Sequence, residues 1–365
     1  MKILLLDNSS LTPTSNGVCV EPKTGAFTVE LQSEGNEINV FGQKVSAKDT
    51  VHTFNLTENN IKTSGIKRKR NKLANYFLLY LRIIPHIYKA DFVYIFYPTA
   101  FKYVPLLCWI LRKNFGLYVR GMNGINDKVS SWNYKKAYTI FTVSDFFTTM
   151  INEKTQSKKA HTIKPMIPFS EKDVLATRTY KTKDKISILY LGRIAHDKGI
   201  AELLKAVQVL KHKSYKFELN LVGSGEFLQK TKTLIKEYQI EDTVWVRGAA
   251  FEPEQVKSYY INADVYVLPT YHEGFPRTLY EAMIFGTPII TTFVGGIPAL
   301  MKNRVNCKEI QPKSVDSLVE GIEFAMNNQE KMIQFAKNGT TLVSKIVDSN
   351  RMTHAQHLNK IIKNG

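Results

Sequence analysis

Short runs rich in β-branched and aromatic residues alternate with helical patterns along the whole 365-residue chain. That rhythm is the signature of parallel α/β units, because a parallel strand has to be reached through a crossover, usually a helix. In the first half the expected strands are Lys2 to Leu6, Glu37 to Phe41, Val51 to Asn55, Phe92 to Tyr97, Leu117 to Arg120, Thr139 to Val143 and His161 to Ile163. The segment 164–186 carries two prolines and dense charge without an apolar period, so it reads as a linker. A second series begins at Ile186 to Leu191, followed by a helix with Ile200, Leu203, Leu204, Val207 and Leu210 on one face. Strands at Phe217 to Val222, Thr243 to Val246, Val265 to Leu268 and Pro288 to Thr292 alternate with helices over 226–238, 253–262 and about 276–286. The last 50 residues read as helices.

The expectation is therefore α/β, two doubly wound Rossmann-like domains facing a central cleft. Residues 1–168 form the first, 169–185 the linker, 186–340 the second, and 341–365 a C-terminal helix that packs back on the first. Such sheets bind ligands at the carboxyl ends of their strands. Cys19, Cys108 and Cys307 are far apart and lack metal-ligand spacing, so neither a disulfide framework nor a zinc site is indicated. The most apolar stretches, 73–88 and 103–111, are broken by Arg82, Pro85 and Arg112, and no membrane-spanning helix is expected.

Three loops of the second half carry chemistry. Arg193 and Lys198, in GRIAHDKG after the strand at 186–191, set two cations beside a helix start, an arrangement suited to a diphosphate or simply to solvent. Gly223-Ser224-Gly225 is a tight turn, and Arg247 closes the following strand. In 264–300 a strand ends at Pro269, the loop carries His272, Glu273, Gly274, Phe275 and Pro276, and a helix opens toward Arg277, Leu279 and Glu281. Pro276 suits a first helical position, leaving nearby amides free for an anion. Read alone, Glu273 is equally a helix cap and Glu281 equally a solvated face.

In order and spacing, Gly192-Arg193, Lys198-Gly199, EGFPRTLYEAMIFGTPII and Gly295-Gly296 resemble the donor domain of the retaining GT-B glycosyltransferases of family 4, the group 1 glycosyl transferases. Subgroups that assemble bacterial surface polysaccharides such as capsule and O-antigen look closest. The likeness covers about 190–300; the first half shares only the α/β rhythm. It implies that Arg193 and Lys198 bind the diphosphate of a nucleotide-sugar, UDP- or GDP-linked, and stabilise charge as it leaves. Glu273 would contact the sugar near its reacting carbon, and Glu281 the ribose hydroxyls. Backbone amides near Phe275 to Arg277 would touch phosphate, Gly274, Pro276 and Leu279 would belong to the donor site, Gly223 and Arg247 would lie nearer the nucleotide, and Gly17 would let a first-domain loop close over the phosphates.

The chain departs from that pattern in isolated Gly17 and Gly25 where a double glycine is usual, and in lacking a histidine after the strand at 117–120, where Arg120 and Asn123 become the acceptor candidates. His272 stands where small residues are usual and would shape the sugar pocket. No Asp-x-Asp pair occurs, so no metal or other cofactor is expected: two cations and a helix N-terminus would neutralise the leaving group instead. Competing readings are a nucleotide-sugar epimerase of the same fold and a non-catalytic protein binding nucleotides or anionic surfaces.

The charge points to partners. The chain carries 50 Lys and Arg against 32 Asp and Glu, +18 in all, of which +12 falls in residues 1–180. Residues 62–72 hold six basic and no acidic side chains and lead into the apolar helix at 73–88, where Leu73, Phe77, Tyr80, Leu81 and Ile84 define one face and Tyr76, Leu79 and Ile83 the other. An anionic membrane surface contacted through 62–88 is expected, with a glycan or lipid-linked saccharide as acceptor. Nucleic acid is not, for no recognition module is visible. The location expected is cytoplasmic, peripheral on the inner face of the cell membrane.

Overall fold

Strands covered on both faces need apolar residues at consecutive positions, and Ile3, Leu4, Leu5 and Leu6 are each 1% exposed or less. In the computed structural model, described for residues 1–46, 52–120, 127–180, 183–213, 215–274 and 276–364, these residues lie on an interior strand of a seven-stranded sheet. Its order is Ala160–Thr162, Thr139–Thr142, Asn114–Val119, Phe92–Tyr97, Lys2–Leu6, Glu37–Lys44 and Lys62–Lys67, parallel throughout. A six-stranded parallel sheet forms the second half: Val244–Gly248, Phe217–Val222, Ile186–Leu191, Val265–Leu268, Ile289–Thr292 and Lys308–Ile310. Within each half the spatial order starts third, second, first, fourth, fifth, sixth, the Rossmann arrangement.

The chain divides into two units, Met1–Met166 with Met352–Gly365, and Ile167–Arg351. The segment expected as a linker, 169–185, is part of the second. Arg178 donates to the carbonyls of Tyr260, Ile261, Ala263 and Phe285 and to Thr287 Oγ1, at 2.6–3.2 Å. These acceptors close the carboxyl ends of helices Pro253–Asn262 and Arg277–Ile284, where unpaired carbonyls and the negative end of the dipole favour a guanidinium.

The helix expected over 341–365 is two helices. Gln329–Val347 ends in the second unit, whereas His354–Lys363 packs in the first against Pro22–Ser33, with Thr353 Oγ1 donating to Glu30 Oε1 at 2.6 Å.

The basic stretch also differs from expectation. Lys62–Lys67 is the edge strand of the seven-stranded sheet, with Ile66 buried and Lys62 paired to Glu37 at 2.6 Å. The expected strand at 51–55 shrinks to Phe54–Asn55, paired antiparallel with Gly17–Val20 in a small separate sheet; Val51 lies outside the described residues. Helix Lys72–Lys89 turns Leu79, Ile83 and Ile87 into the core, so the stripe through Leu73, Phe77, Leu81 and Ile84 faces water. Both sides are apolar, and periodicity alone does not rank them.

Candidate active site

In a Rossmann sheet the ligand crevice opens where strand order reverses, beside the carboxyl ends of the first and fourth strands. In the second unit these are Ile186–Leu191 and Val265–Leu268. The loop after the first is anchored from beneath: Tyr190 Oη donates to the Arg193 carbonyl at 2.7 Å, Tyr266 Oη to that of Leu191 at 3.2 Å, and Ile194 and Ala195 are buried. This leaves Arg193 exposed before a single turn, His196–Lys198, that leads into helix Ile200–His212.

The loop after the fourth strand is stitched to it. Tyr271 N and Thr270 Oγ1 both donate to the Asp197 carbonyl, at 2.8 and 3.3 Å. Lys198 Nζ thereby reaches Glu273 Oε1 in an ion pair, with the side chains only 12% and 20% exposed. Arg193 donates to Asp197 Oδ1 at 3.0 Å and Glu226 Oε1 at 3.2 Å. Two cations and three carboxylates therefore form one network, its acids holding the cations that an anionic ligand would claim. Asp197 and Glu226 went unnoticed in the sequence; an acid four residues after Arg193 was the available signal.

Two glycines allow this crowding. Gly295, at φ +59°, lies so close to the Glu273 carbonyl that a Cβ would sit 1.8 Å from its oxygen, and neighbouring Gly296 N donates to Gly274 O at 2.9 Å. At Gly223 (φ +151°) a Cβ would meet the Gly192 oxygen at 1.9 Å. Backbone of four loops is thus packed pairwise at contact distance, which only glycine permits.

Pro276 is the N-cap of helix Arg277–Ile284 rather than its first residue, and no side chain caps that end. Glu281, one turn further in, is buried, and its Oε2 accepts from Tyr260 Oη at 3.1 Å; it is not part of a solvated face. Leu279 is fully buried and its amide donates to the Pro276 carbonyl at 3.2 Å, so its side chain packs in the core of the second unit. His272 is exposed. Arg247 points elsewhere than the ion-pair network: Nε donates to Asn220 Oδ1 at 2.8 Å, the guanidinium lies over Trp245, and together with Lys185, Glu218 and Asn220 it lines a groove of about 480 Å³. Phe275 and Asn123 lie outside the described residues.

Gly17 and Arg120 belong to the first unit. Gly17 starts the strand Gly17–Val20, against Thr57. Arg120 follows strand Asn114–Val119, its guanidinium 5.0 Å from the Phe96 ring centre. At the switch point of this sheet Asp7, which sequence reading passed over, is buried; burial pushes its carboxyl up, while Ser9 and the Arg120 charge oppose that. Among the described residues no three His, Cys, Asp or Glu side chains converge as metal ligands would.

Residues 173–342 match the family model described as Glycosyl transferases group 1. An uncharacterized glycosyltransferase of Haemophilus influenzae is 32% identical over 200 residues, 54% of this chain and 54% of that protein. The amylovoran biosynthesis glycosyltransferase AmsK of Erwinia amylovora is 33% identical over 128 residues, 33% of this chain and 31% of that one. The chain thus spans about a third to a half of the length of these curated relatives. The crystal structure of Anabaena HepE in complex with UDP-glucose superposes with a TM-score of 0.71 at 17% identity, covering 100% of this chain and 99% of that one. This last likeness shows the fold, α/β with two Rossmann-like halves, the class of the GT-B glycosyltransferases.

Proposed function

We propose that this chain is a retaining, metal-independent glycosyltransferase that moves a hexose from a nucleotide-sugar, UDP- or GDP-linked, to a glycan or lipid-linked saccharide in bacterial surface-polysaccharide synthesis. The observation that carries the reading is the Lys198–Glu273 pair beside Arg193, at the switch point and next to the uncapped start of helix Arg277–Ile284. The match of residues 173–342 to the group 1 model supports it, as do the relative named for amylovoran biosynthesis and the UDP-glucose complex of HepE.

In this reading the donor diphosphate displaces the carboxylates from Arg193 and Lys198 and takes over both cations. As the bond from the anomeric carbon to the phosphate oxygen breaks, charge grows on the leaving diphosphate, where those cations and the first amides of the helix stabilise it. The acceptor hydroxyl attacks from the same face, its oxygen bonds to the anomeric carbon, and its proton passes to the leaving phosphate. Glu273, released from Lys198, lies against the sugar, and Glu281 holds the ribose. The enzyme works in the cytoplasm at the inner face of the cell membrane.

The test offers UDP-, GDP-, ADP- and dTDP-sugars to the purified chain, with and without EDTA, and scores thermal shift and release of nucleotide. A donor at 100 times its Kd should stabilise the fold by about 2.7 kcal/mol. Turnover unaffected by EDTA is expected. Binding without transfer or hydrolysis over varied acceptors would leave a nucleotide-binding protein, and conversion to an epimeric nucleotide-sugar would make it an epimerase.

A further inference from the structure

We infer that helices Lys72–Lys89 and Val104–Ile110 form one platform by which the first unit docks on an anionic lipid surface. On the longer helix Leu73, Phe77, Leu81, Ile84 and Tyr88 recur at i, i+4, i+8, i+11 and i+15 and all face solvent, Leu73 83% and Phe77 70% exposed. On the shorter one Leu106, Trp109 and Ile110 do the same while Val104, Pro105 and Cys108 fill the core.

The two helices are neighbours. Tyr80 of the first helix donates to the Ala100 carbonyl at 3.0 Å and accepts from Tyr103 N at 3.2 Å, at the entry to the second. Near the other end Lys113 Nζ lies 5.7 Å from the Tyr88 ring centre. Trp109 rests edge-on against Trp132. Eight large apolar side chains this exposed on two neighbouring helices are more than the singly scattered apolar residues of an ordinary surface.

Charge identifies the occupant. Residues 62–113 contain eleven Lys and Arg and a single acid, Asp91, which is occupied by the Lys2 amide. Arg70, Lys72, Arg82, Lys89 and Arg112 are all exposed. An apolar, aromatic centre with a cationic border is what an anionic bilayer interface takes up, the rings entering the headgroup layer and the cations meeting lipid phosphates. A second copy of the chain fits poorly, because a two-fold contact brings this border against its own like charges. Among the described residues no helix is long and apolar enough to cross a bilayer, so contact would be from one side. The platform also revises the sequence expectation of contact through 62–88: the strand Lys62–Lys67 is committed to the sheet, and the shorter helix, in the apolar stretch 103–111, supplies Trp109.

The inference does not rest on the transfer reaction, and its test uses no sugar. The full chain is floated with vesicles of phosphatidylcholine alone or mixed 3:1 with phosphatidylglycerol, in 0.1 M salt. Binding to the mixed vesicles alone is expected, with brominated lipids quenching a fluorescence component that Trp109→Phe removes. Phe77→Ser with Trp109→Ser should lower partitioning at least about tenfold, as should Lys69→Glu with Arg70→Glu and Lys72→Glu, the latter also flattening the salt dependence. Leu73→Ser, at a position almost wholly in water, is the check should the double variant fold poorly. Equal flotation with both vesicle types, or of the parent and both variants, overturns the inference. So does a dimer in sedimentation equilibrium that Leu73→Ser disperses, which would make the face a self-association surface. A chain that floats but turns over no donor would leave the platform standing and remove the transferase reading.

Discussion

The two units share one strand order and differ in what they place where that order reverses. In the second unit the switch point gathers Arg193, Asp197, Lys198 and Glu273, charged groups held on backbone packed so tightly that glycine is required behind them. In the first, the equivalent position holds a buried Asp7 with Arg120 nearby, and its distinctive surface lies on the two helices that carry the apolar stripes. A Rossmann sheet sets where a ligand can approach, and the loops decide which ligand. On the two proposals above, the second unit meets concentrated negative charge and the first a surface.

The largest effect should come from removing Lys198, the less exposed of the two cations. Lys198→Ala is expected to lower donor turnover about 10²–10³-fold, roughly 3–4 kcal/mol, the cost of losing one group aimed at a developing anion. The fold should survive, since Glu273 keeps access to water. Arg120→Ala in the first unit should leave donor hydrolysis within about twofold and act on acceptor-dependent transfer instead. Steady-state kinetics with and without acceptor separate the two; an equal loss of hydrolysis in both variants would end the division of labour.

Acid should separate the units next. His354, at the centre of the first unit among Phe27, Tyr94, Tyr118 and Phe141, is lowered by burial from 6.5 to about 3, with His357 and Arg120 adding repulsion. His161 and His357 are lowered by burial as well. Between pH 6.5 and about 3 the unfolded chain binds a proton at His354 that the folded one refuses. The stability this histidine contributes is therefore complete above pH 6.5 and declines as pH falls, by about 2 kcal/mol at pH 5. The second unit's histidines, His196, His212 and His272, are exposed. Hydrogen exchange should show Phe92–Tyr97 losing protection from pH 7 to 5 while Ile186–Leu191 holds; parallel loss in both strands would refute this.

How far the sequence exposed these differences depends on how local each cause is. Ile186–Leu191, the loop after it and the Glu273 segment were legible because strand propensity, a turn and a helix start are written in adjacent residues. Lys62–Lys67 was hidden by its own composition: an edge strand buries little, and only Ile66 of its six residues is in the core. The burial of Leu79 rather than Phe77 follows from what the sheet presents to that helix, which no window of 18 residues contains. Arg178 read as linker because the carbonyls that bind it lie 82–107 residues away. Glu281 looked like surface for the same reason, its partner Tyr260 being on another helix.

That last pair has a counterpart in the first unit, which allows the smallest and most discriminating prediction. Tyr260 Oη bonds the buried Glu281 carboxyl at 3.1 Å, and Tyr94 Oη bonds the buried His354 at 2.5 Å. Each joins a fully buried phenol to an ionisable partner, so deleting either hydroxyl should cost about 1 kcal/mol of stability, with the ring packing unchanged. Stability alone cannot tell the two apart. If Glu281 holds the ribose, Tyr260→Phe frees its carboxyl to shift, and nucleotide affinity should fall about three- to fivefold with the maximal turnover rate little changed. Tyr94→Phe should show the same loss of stability and no change in affinity. Calorimetric titration with the preferred nucleoside diphosphate, read beside denaturant melts of both variants, decides the matter. Equal affinities would reduce Tyr260 to a core residue and remove Glu281 from the donor site, because a contact made through that carboxyl must register a change in what orients it.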